Sequence, residues 1–211
     1  MNAMRTKHAL LALLLLTGAA GCGKEVLVGG QKDVETRATG DGTPEGGSPS
    51  RAAAYALAPG GPATTHIAGR AQGTITFDAR VELVSATGAA EDAGGPASAT
   101  VRIDGHDSVF VARGSVPGDQ YATVRVTFTR VTASVTSGLV IGGIDVTGVV
   151  NVSILPGSSI VVERQVDLGG PDEDVDLLVD LDASAWLGAT NPATRIVAAA
   201  AFQSAVKVKR L

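Results

Sequence analysis

The sequence predicts an all-β protein, a single antiparallel β-sandwich that follows a signal peptide and a flexible linker. After residue 65, apolar and polar side chains alternate with period two, and turn-forming residues separate the alternating runs at short intervals. Helix signals are few by comparison. Only 3% of the residues are aromatic, so the core is expected to consist mainly of Val, Ile, Leu and Ala.

Residues 1–21 have the pattern of a secretory signal peptide. Arg5 and Lys7 form a basic start, and an apolar run follows over residues 9–20. At 1.5 Å per residue, twelve helical residues are about 18 Å long, which is too short for the ~30 Å hydrocarbon core of a bilayer. The run therefore indicates a cleaved signal and argues against a transmembrane anchor.

The signal ends at the only cysteine of the chain, Cys22, directly after Ala19-Ala20-Gly21. This stretch resembles the lipobox of bacterial lipoproteins. The resemblance implies cleavage before Cys22, a lipid on its sulfur and an acylated amino group. Because Gly23 and Lys24 follow the cysteine, where an inner-membrane retention signal has Asp, it also implies the outer membrane.

Residues 22–65 are predicted to form the lipidated cysteine and a tether. Gly, Pro and Ser recur through this stretch, as in Gly46-Gly47-Ser48-Pro49-Ser50. About forty flexible residues have a root-mean-square span of about 35 Å, enough to hold a domain clear of a membrane. A short strand at residues 25–28 and a helical turn at residues 51–58 are weaker features of the same stretch.

The folded domain is predicted over residues 66–211, beginning with the clearest strand at residues 74–84. One face of that strand consists of Ile75, Phe77, Ala79, Val81 and Leu83. Shorter strands are expected from Val101 and over residues 109–112. A long strand from Ala122 changes phase near Thr129 and Arg130, which predicts a β-bulge.

The second half of the domain continues the alternation. Further strands are predicted over residues 139–141, 144–155, 160–168, 175–181 and 202–210. Asp182 favours the start of a short helix that runs through Trp186. Asn191-Pro192 favours another helix through the alanines at 198–201, although the same alanines fit an extended last strand equally well.

Two segments extend the comparison with bacterial lipoproteins. Pro117-Gly118-Asp119-Gln120-Tyr121 before the long strand, and the strand over residues 177–182, resemble uncharacterised members that carry a prealbumin-like, carbohydrate-binding-like sandwich. This resemblance implies an immunoglobulin- or prealbumin-like fold for residues 66–211. It implies no particular activity.

Charge and motifs exclude several classes of function. Loss of residues 1–21 leaves 15 basic and 21 acidic residues, a formal charge of -6, which argues against nucleic acid binding. The sequence contains no Walker loop, zinc-protease motif or nucleophile elbow. An enzyme is therefore not expected, and a hydrolase built on His106, Asp107 and Ser108 is the least favoured class.

Two features are candidate binding sites. Asp172, Asp174 and Asp176 have the alternate spacing of calcium-loop carboxylates, although no EF-hand glycine or terminal glutamate follows them. The other interpretation is a solvated hairpin whose charges protect an edge. Trp186 is a candidate anchor for a glycan, and its alternative role is a lid over the core.

The sequence thus predicts a non-catalytic, cell-envelope lipoprotein with no bound cofactor. It would be attached to the outer membrane through Cys22 and would display a β-sandwich for structural or protein-interaction roles. A calcium- or glycan-binding module of the cell surface is the alternative. Its site would consist of the Asp172, Asp174 and Asp176 carboxylates and Trp186.

Overall fold

The computed structural model describes residues 30–40, 63–105 and 107–211. Over these residues the protein is all-β, with two packed mixed sheets and two short helices. The strands are β1 (Gln31–Thr39), β2 (Thr65–Ser85), β3 (Ala90–Arg102), β4 (Val109–Pro117), β5 (Tyr121–Ile141), β6 (Ile144–Val152), β7 (Ile160–Gln165), β8 (Val175–Asp180), β9 (Ile196–Val197) and β10 (Lys207–Arg210). The helices are α1 (Ala183–Leu187) and α2 (Ala199–Ala205).

The smaller sheet has the order β10-β8-β1-β4, and the larger has the order β3-β2-β5-β6-β9. Strand β7 pairs with the first half of β5, while β6 pairs with its second half. Strands β1 and β8 are parallel, as are β6 and β9. The prediction of a wholly antiparallel sandwich is therefore wrong, although the all-β class is confirmed.

Strand β1 overturns part of the predicted tether. Gln31–Thr39 lies between β4 and β8 in the smaller sheet, with Val34 and Ala38 fully buried in the core. The tether assigned to residues 22–65 is thus wrong for this stretch, and the folded domain does not begin at residue 66. The other segments of the predicted tether, residues 22–29 and 41–62, lie outside the described residues.

Strands β2 and β5, both predicted as strands from their alternation, form the centre of the larger sheet. The inward face of β2 is buried throughout residues 75–83. The bulge in β5 is confirmed, because Asp78 pairs with Arg130 while the next residue, Ala79, pairs with Phe128, leaving Thr129 as the extra residue. The bulge keeps apolar side chains inward on both sides of it, including Val126 and Val131.

The C-terminal segment differs from the prediction. Asp182 caps α1 as expected, but the second helix starts at Ala199 and not at Asn191. The predicted strand at residues 202–210 is correct only for β10. Arg164 holds α2 against β7, because its guanidinium donates to the carbonyls of Gln203 and Val206 at 2.8 Å each. These carbonyls lie at the C-terminus of α2, where backbone acceptors lack helical partners.

The two packed sheets have two opposite ends, which are named here by the elements they carry. The first, which we call the turn end, carries Gly30 and the turns over residues 117–120 and 166–174; Gly118 N–H donates to Gly30 O at 2.6 Å. The second, which we call the helix end, carries Gly40, α1 and the loop over residues 188–195. There Ala183 N–H donates to Gly40 O at 3.1 Å.

Candidate functional site

The acidic segment predicted to bind calcium is folded around a lysine from β1. Lys32 is fully buried, and its ammonium donates to Leu168 O at 2.8 Å and to Gly170 O at 2.6 Å. Burial lowers the pKa of Lys32, while the charge of Glu173 opposes that change. The loop before β8 therefore directs two carbonyl oxygens at a cation supplied by the protein itself.

Glu173 and Asp167 hold the same loop in place through local contacts. Glu173 accepts a hydrogen bond from Gly170 N–H at 3.1 Å and forms an ion pair with Arg210. The hydrogen bond from Arg210 lowers the pKa of the Glu173 carboxyl. Asp167 accepts from Gly169 N–H at 3.1 Å. These carboxylates stabilise a turn, a role that differs from both the calcium site and the edge-protecting hairpin considered from the sequence.

The three aspartates predicted as calcium ligands do not converge. Asp174 accepts from the backbone N–H of Asp33 at 3.1 Å, whereas Asp172 lies against Gly30 and Gly118. Asp176 is exposed on β8 and is paired in register with Glu35 of β1. In residues 30–40, 63–105 and 107–211, no group of three or more His, Cys, Asp or Glu residues is arranged to hold a metal ion.

Asp182 has a structural role at the helix end. Its carboxylate accepts from Ser184 Oγ at 3.1 Å and from Ala185 N–H at 3.3 Å, which caps α1. Its other oxygen lies 2.7 Å from the ammonium of Lys207. That hydrogen bond raises the pKa of Lys207. Strand β10 is thereby connected to the start of α1.

Trp186 lies in the core and not at a binding surface. Its side chain is fully buried, and its indole N–H donates to Leu181 O at 2.9 Å. The ring packs edge-on against Phe202, with the centroids 5.5 Å apart. No face of the indole is free to stack on a sugar, so the lid role is the one that the structure supports.

Two other sequence candidates lie outside the described residues. Cys22, the predicted lipidation site, precedes Gly30, the first residue described. His106, the histidine of the least favoured hydrolase, lies between the described ranges.

The structure shows a groove that the sequence analysis missed. It lies at the helix end, has a volume of about 560 Å³, and opens widely to solvent. Three separate parts of the chain form it: the start of β2, the residue after β6, and the segment from the end of α1 to Ala198. Its lining consists of Thr65, Ser153, Gly188, Ala189, Thr190, Asn191, Pro192, Thr194, Ile196 and Ala198.

One wall of the groove is a tight loop centred on Asn191. Its side-chain oxygen accepts from Ala193 N–H at 2.9 Å and from Thr194 N–H at 3.1 Å. The loop closes where Asn191 N–H donates to Ile196 O at 2.9 Å, and Ile196 then pairs with β6. Asn191-Pro192, interpreted from sequence as a helix start, is instead the beginning of this wall.

The groove is electrically neutral, and one of its lining residues has a buried hydroxyl without a partner among the described residues. None of the lining residues carries a charge, and the polar groups are hydroxyls and one carboxamide. Thr190 Oγ1 donates to Leu187 O at 2.6 Å, but Thr65 Oγ1 is buried and has no hydrogen-bond partner among the described residues. Ile196 adds an apolar side chain, 41% exposed. The lining suits an uncharged ligand with both polar and apolar groups.

Comparison with known proteins assigns no family. No protein-family model matches the chain, and no curated protein or solved structure shows significant similarity to it. Among the described residues, neither helix has the length and apolar character required to cross a membrane.

Proposed function

We propose that this chain is a non-catalytic lipoprotein of the bacterial outer membrane that displays an interaction domain. In this proposal, residues 1–21 are removed and Cys22 carries the lipid. The domain is a β-sandwich of the immunoglobulin or prealbumin type. The lipobox-like Ala19-Ala20-Gly21-Cys22 supports the anchor, and the position of the only cysteine at that point adds to it. Two or more acyl chains give stable anchoring, whereas one gives marginal binding.

The groove at the helix end is the proposed interaction site. The observation that carries this assignment is Thr65 Oγ1, a buried polar atom without a partner among the described residues. Buried polar groups nearly always have hydrogen-bond partners, so each exception calls for an explanation. Thr65 lines the groove, so a ligand whose binding turns this side chain toward the groove would supply the missing bond.

The chemistry of the groove favours an uncharged segment of a protein partner. A charged group would be desolvated there without a counter-charge, which is unfavourable. A peptide segment offers backbone N–H and C=O groups to the Thr and Asn side chains, and an apolar side chain to Ile196. The groove volume of about 560 Å³ matches that of a short peptide segment or a small ligand.

The anchor is tested by mass spectrometry of the protein from membranes. We expect the mature chain to start at Cys22 and to carry acyl groups, and we expect Cys22→Ser to accumulate as an uncleaved precursor. A wild-type chain that is processed at another residue, or that carries no lipid, would overturn the anchoring part of the proposal.

The groove is tested by site-specific cross-linking in intact cells. A photo-reactive amino acid replaces Ile196 at the rim, and the matched control replaces Val161 on β7, which is similarly exposed at 38% against 41%. A single adduct at position 196, absent at 161 and lost when Thr194→Trp fills the groove, is the expected result. Equal labelling at both positions, or none at 196, would contradict an interaction role for the groove.

A further inference from the structure

The position of β1 limits the distance between the folded domain and a lipid on Cys22. Gly30, at the turn end, follows Cys22 by only eight residues. Eight residues span at most about 29 Å in any conformation. A tether that continued to residue 65 could extend to about 150 Å. Because β1 belongs to the sandwich, the anchor is connected closely to one end of the domain.

We infer that the lipid holds the sandwich by its turn end, so that the helix end and its groove face away from the membrane. This inference rests on the lipidation of Cys22 in the proposed function. Strand β1 runs from the turn end to the helix end, and the eight steps of about 3.3 Å from Gln31 to Thr39 place Thr39 about 26 Å beyond Gln31.

The hydrogen bonds of β1 fix this direction in the fold. At its start, Gly30 O accepts from Gly118 N–H of the turn before β5. At its end, Thr39 O accepts from Leu181 N–H at 2.9 Å, and Gly40 O accepts from Ala183 N–H of α1. The strand is therefore a rigid spacer inside the domain, and α1 lies at its far end.

Electrostatics gives the domain no attraction to an anionic bilayer, so the connection to Cys22 alone holds it there. The mature chain has a formal charge of -6, so anionic headgroups repel the domain as a whole. At the turn end, Asp119, Asp172 and Asp174 are exposed. Repulsion acts over a Debye length of about 8 Å at physiological salt. The eight residues that follow Cys22, up to Gly30, can extend farther than that, to at most about 29 Å. The turn end is thus the end that the short connection holds near the surface.

This orientation determines the side from which a partner reaches the groove. With the turn end held at the surface, a partner reaches the helix end from the aqueous side and not from within the bilayer. The exposed acidic turns at residues 117–120 and 166–174 face the headgroup layer instead. The two ends of one sandwich therefore have different neighbours.

Energy transfer to the membrane tests this orientation. A fluorescent amino acid is placed at Asp119 on the turn end or at Thr194 on the helix end, both of which are exposed. The chain of residues 22–211 is bound to vesicles of phosphatidylethanolamine and phosphatidylglycerol that carry a rhodamine headgroup acceptor. We expect several-fold stronger transfer from position 119 than from position 194. A flexible Gly/Ser insertion of about 35 residues between Gly29 and Gly30 is expected to reduce this difference, since it allows the domain to turn.

Two attachments separate this inference from the proposed function. In one sample the cell supplies the lipid, and in the other Cys22 is coupled chemically to a maleimide phospholipid. If only the cellular sample lacks lipid, the lipoprotein proposal fails while the coupled sample still reports the orientation. Equal transfer from both positions in the coupled sample, or stronger transfer from 194, would overturn the inference.

Discussion

Two buried threonines show the effect of a single hydroxyl in this core. Thr36 of β1 is fully buried, and its Oγ1 has no hydrogen-bond partner among the described residues. Thr190 is 2% exposed, and its Oγ1 donates to Leu187 O at 2.6 Å. Both hydroxyls lost their water on folding, but only one regained a hydrogen bond. The two sites are therefore matched for a mutational comparison.

We expect Thr36→Val to stabilise the protein and Thr190→Val to destabilise it. Valine has nearly the shape of threonine, so Thr36→Val removes an unsatisfied polar group and should raise the free energy of unfolding by about 1 kcal/mol. Thr190→Val leaves Leu187 O without its donor and should lower the free energy of unfolding by about 1 kcal/mol. Urea denaturation measures both. Equal destabilisation by the two variants would show that Thr36 Oγ1 has a partner.

Asp78 gives a prediction about pH on the outer face of the larger sheet. Its carboxylate accepts from Arg130 Nη2 at 3.0 Å and from the Ser98 hydroxyl. The Arg130 hydrogen bond is the main cause that lowers the pKa of Asp78 below its ordinary value of 3.8. The ionised carboxylate therefore stabilises the fold above that value, and the contribution is lost as pH falls through the folded-state pKa.

The Asp78→Asn variant is accordingly expected to be less stable than the wild type near neutral pH. Solvent screening limits the difference to about 0.2–1 kcal/mol. The two unfolding curves should converge as the pH is lowered below 3.8. A double-mutant cycle with Arg130→Met isolates the pair. If the stability difference between the wild type and Asp78→Asn stayed constant down to acid pH, the ionised carboxylate of Asp78 would not be its cause.

At the scale of elements, the sequence predicts a strand well where its inward positions are all apolar. The inward face of β8 consists of Val175, Leu177 and Val179, and the alternation alone locates that strand. In β1 the inward positions include Lys32 and Thr36, so the period-two signal is interrupted twice. The lysine is tolerated only because the carbonyls of the loop before β8 bind its ammonium, and that loop is far away in sequence.

The helix α2 was left undecided between helix and strand for a different reason. Its alanines are compatible with both a helix and a small-residue strand, which leaves the local pattern undecided. The buried side chains Phe202 and Val206 are four residues apart, a helical spacing at the end of an otherwise ambiguous segment. Tertiary contacts settle the choice, because Arg164 and Gln203 connect α2 to β7.

Arg164 is predicted to be the main polar connection between α2 and the larger sheet. Arg164→Met removes the donors to the carbonyls of Gln203 and Val206 and should destabilise the protein by about 1–3 kcal/mol. Arg164→Lys keeps the charge but loses the planar fork, so it should recover only part of that energy. Hydrogen exchange of the α2 amides and urea denaturation measure the effect.

The matched control for this prediction is Arg102→Met. Arg102 is 67% exposed and forms a surface pair with Asp104 at 3.2 Å, so its loss should change the free energy of unfolding by less than about 0.5 kcal/mol. An Arg164→Met variant that matches this control in stability and in α2 exchange would show that apolar packing alone holds the helix.

For the whole molecule, the fold joins parts of the chain that the sequence analysis separated. The groove combines Thr65, Ser153 and residues 188–198, and the turn end combines Gly30 with residues 117–120 and 166–174. Local patterns predict strands and turns, but they do not state which turns meet. The acidic residues and Trp186 were recognised from sequence as special positions. The sequence left their roles open between alternatives, because Lys32 and Phe202 reach them only in the folded chain.

The position of β1 in the smaller sheet predicts that the folded domain requires this strand. A chain of residues 63–211 lacks β1, which lies between β4 and β8 and buries Val34 and Ala38. Strands β4 and β8 then lose the partner that joins them, and the core is opened along its length. We expect this chain to show no cooperative unfolding and a weak near-ultraviolet signal from Trp186, whereas residues 30–211 should show both features of a folded domain.

Adding β1 as a separate peptide tests whether the missing strand is the cause. A peptide of residues 30–40 mixed with the 63–211 chain should restore the near-ultraviolet signal of Trp186 and a cooperative transition, as donated strands do in other sheets. The same peptide with Val34→Asp places an unpaired charge in the core, so it should restore neither the Trp186 signal nor the transition. If residues 63–211 alone unfold cooperatively with a buried Trp186, then β1 is an addition to a self-sufficient sandwich. The short connection proposed between the domain and a lipid on Cys22 would then no longer follow from the fold.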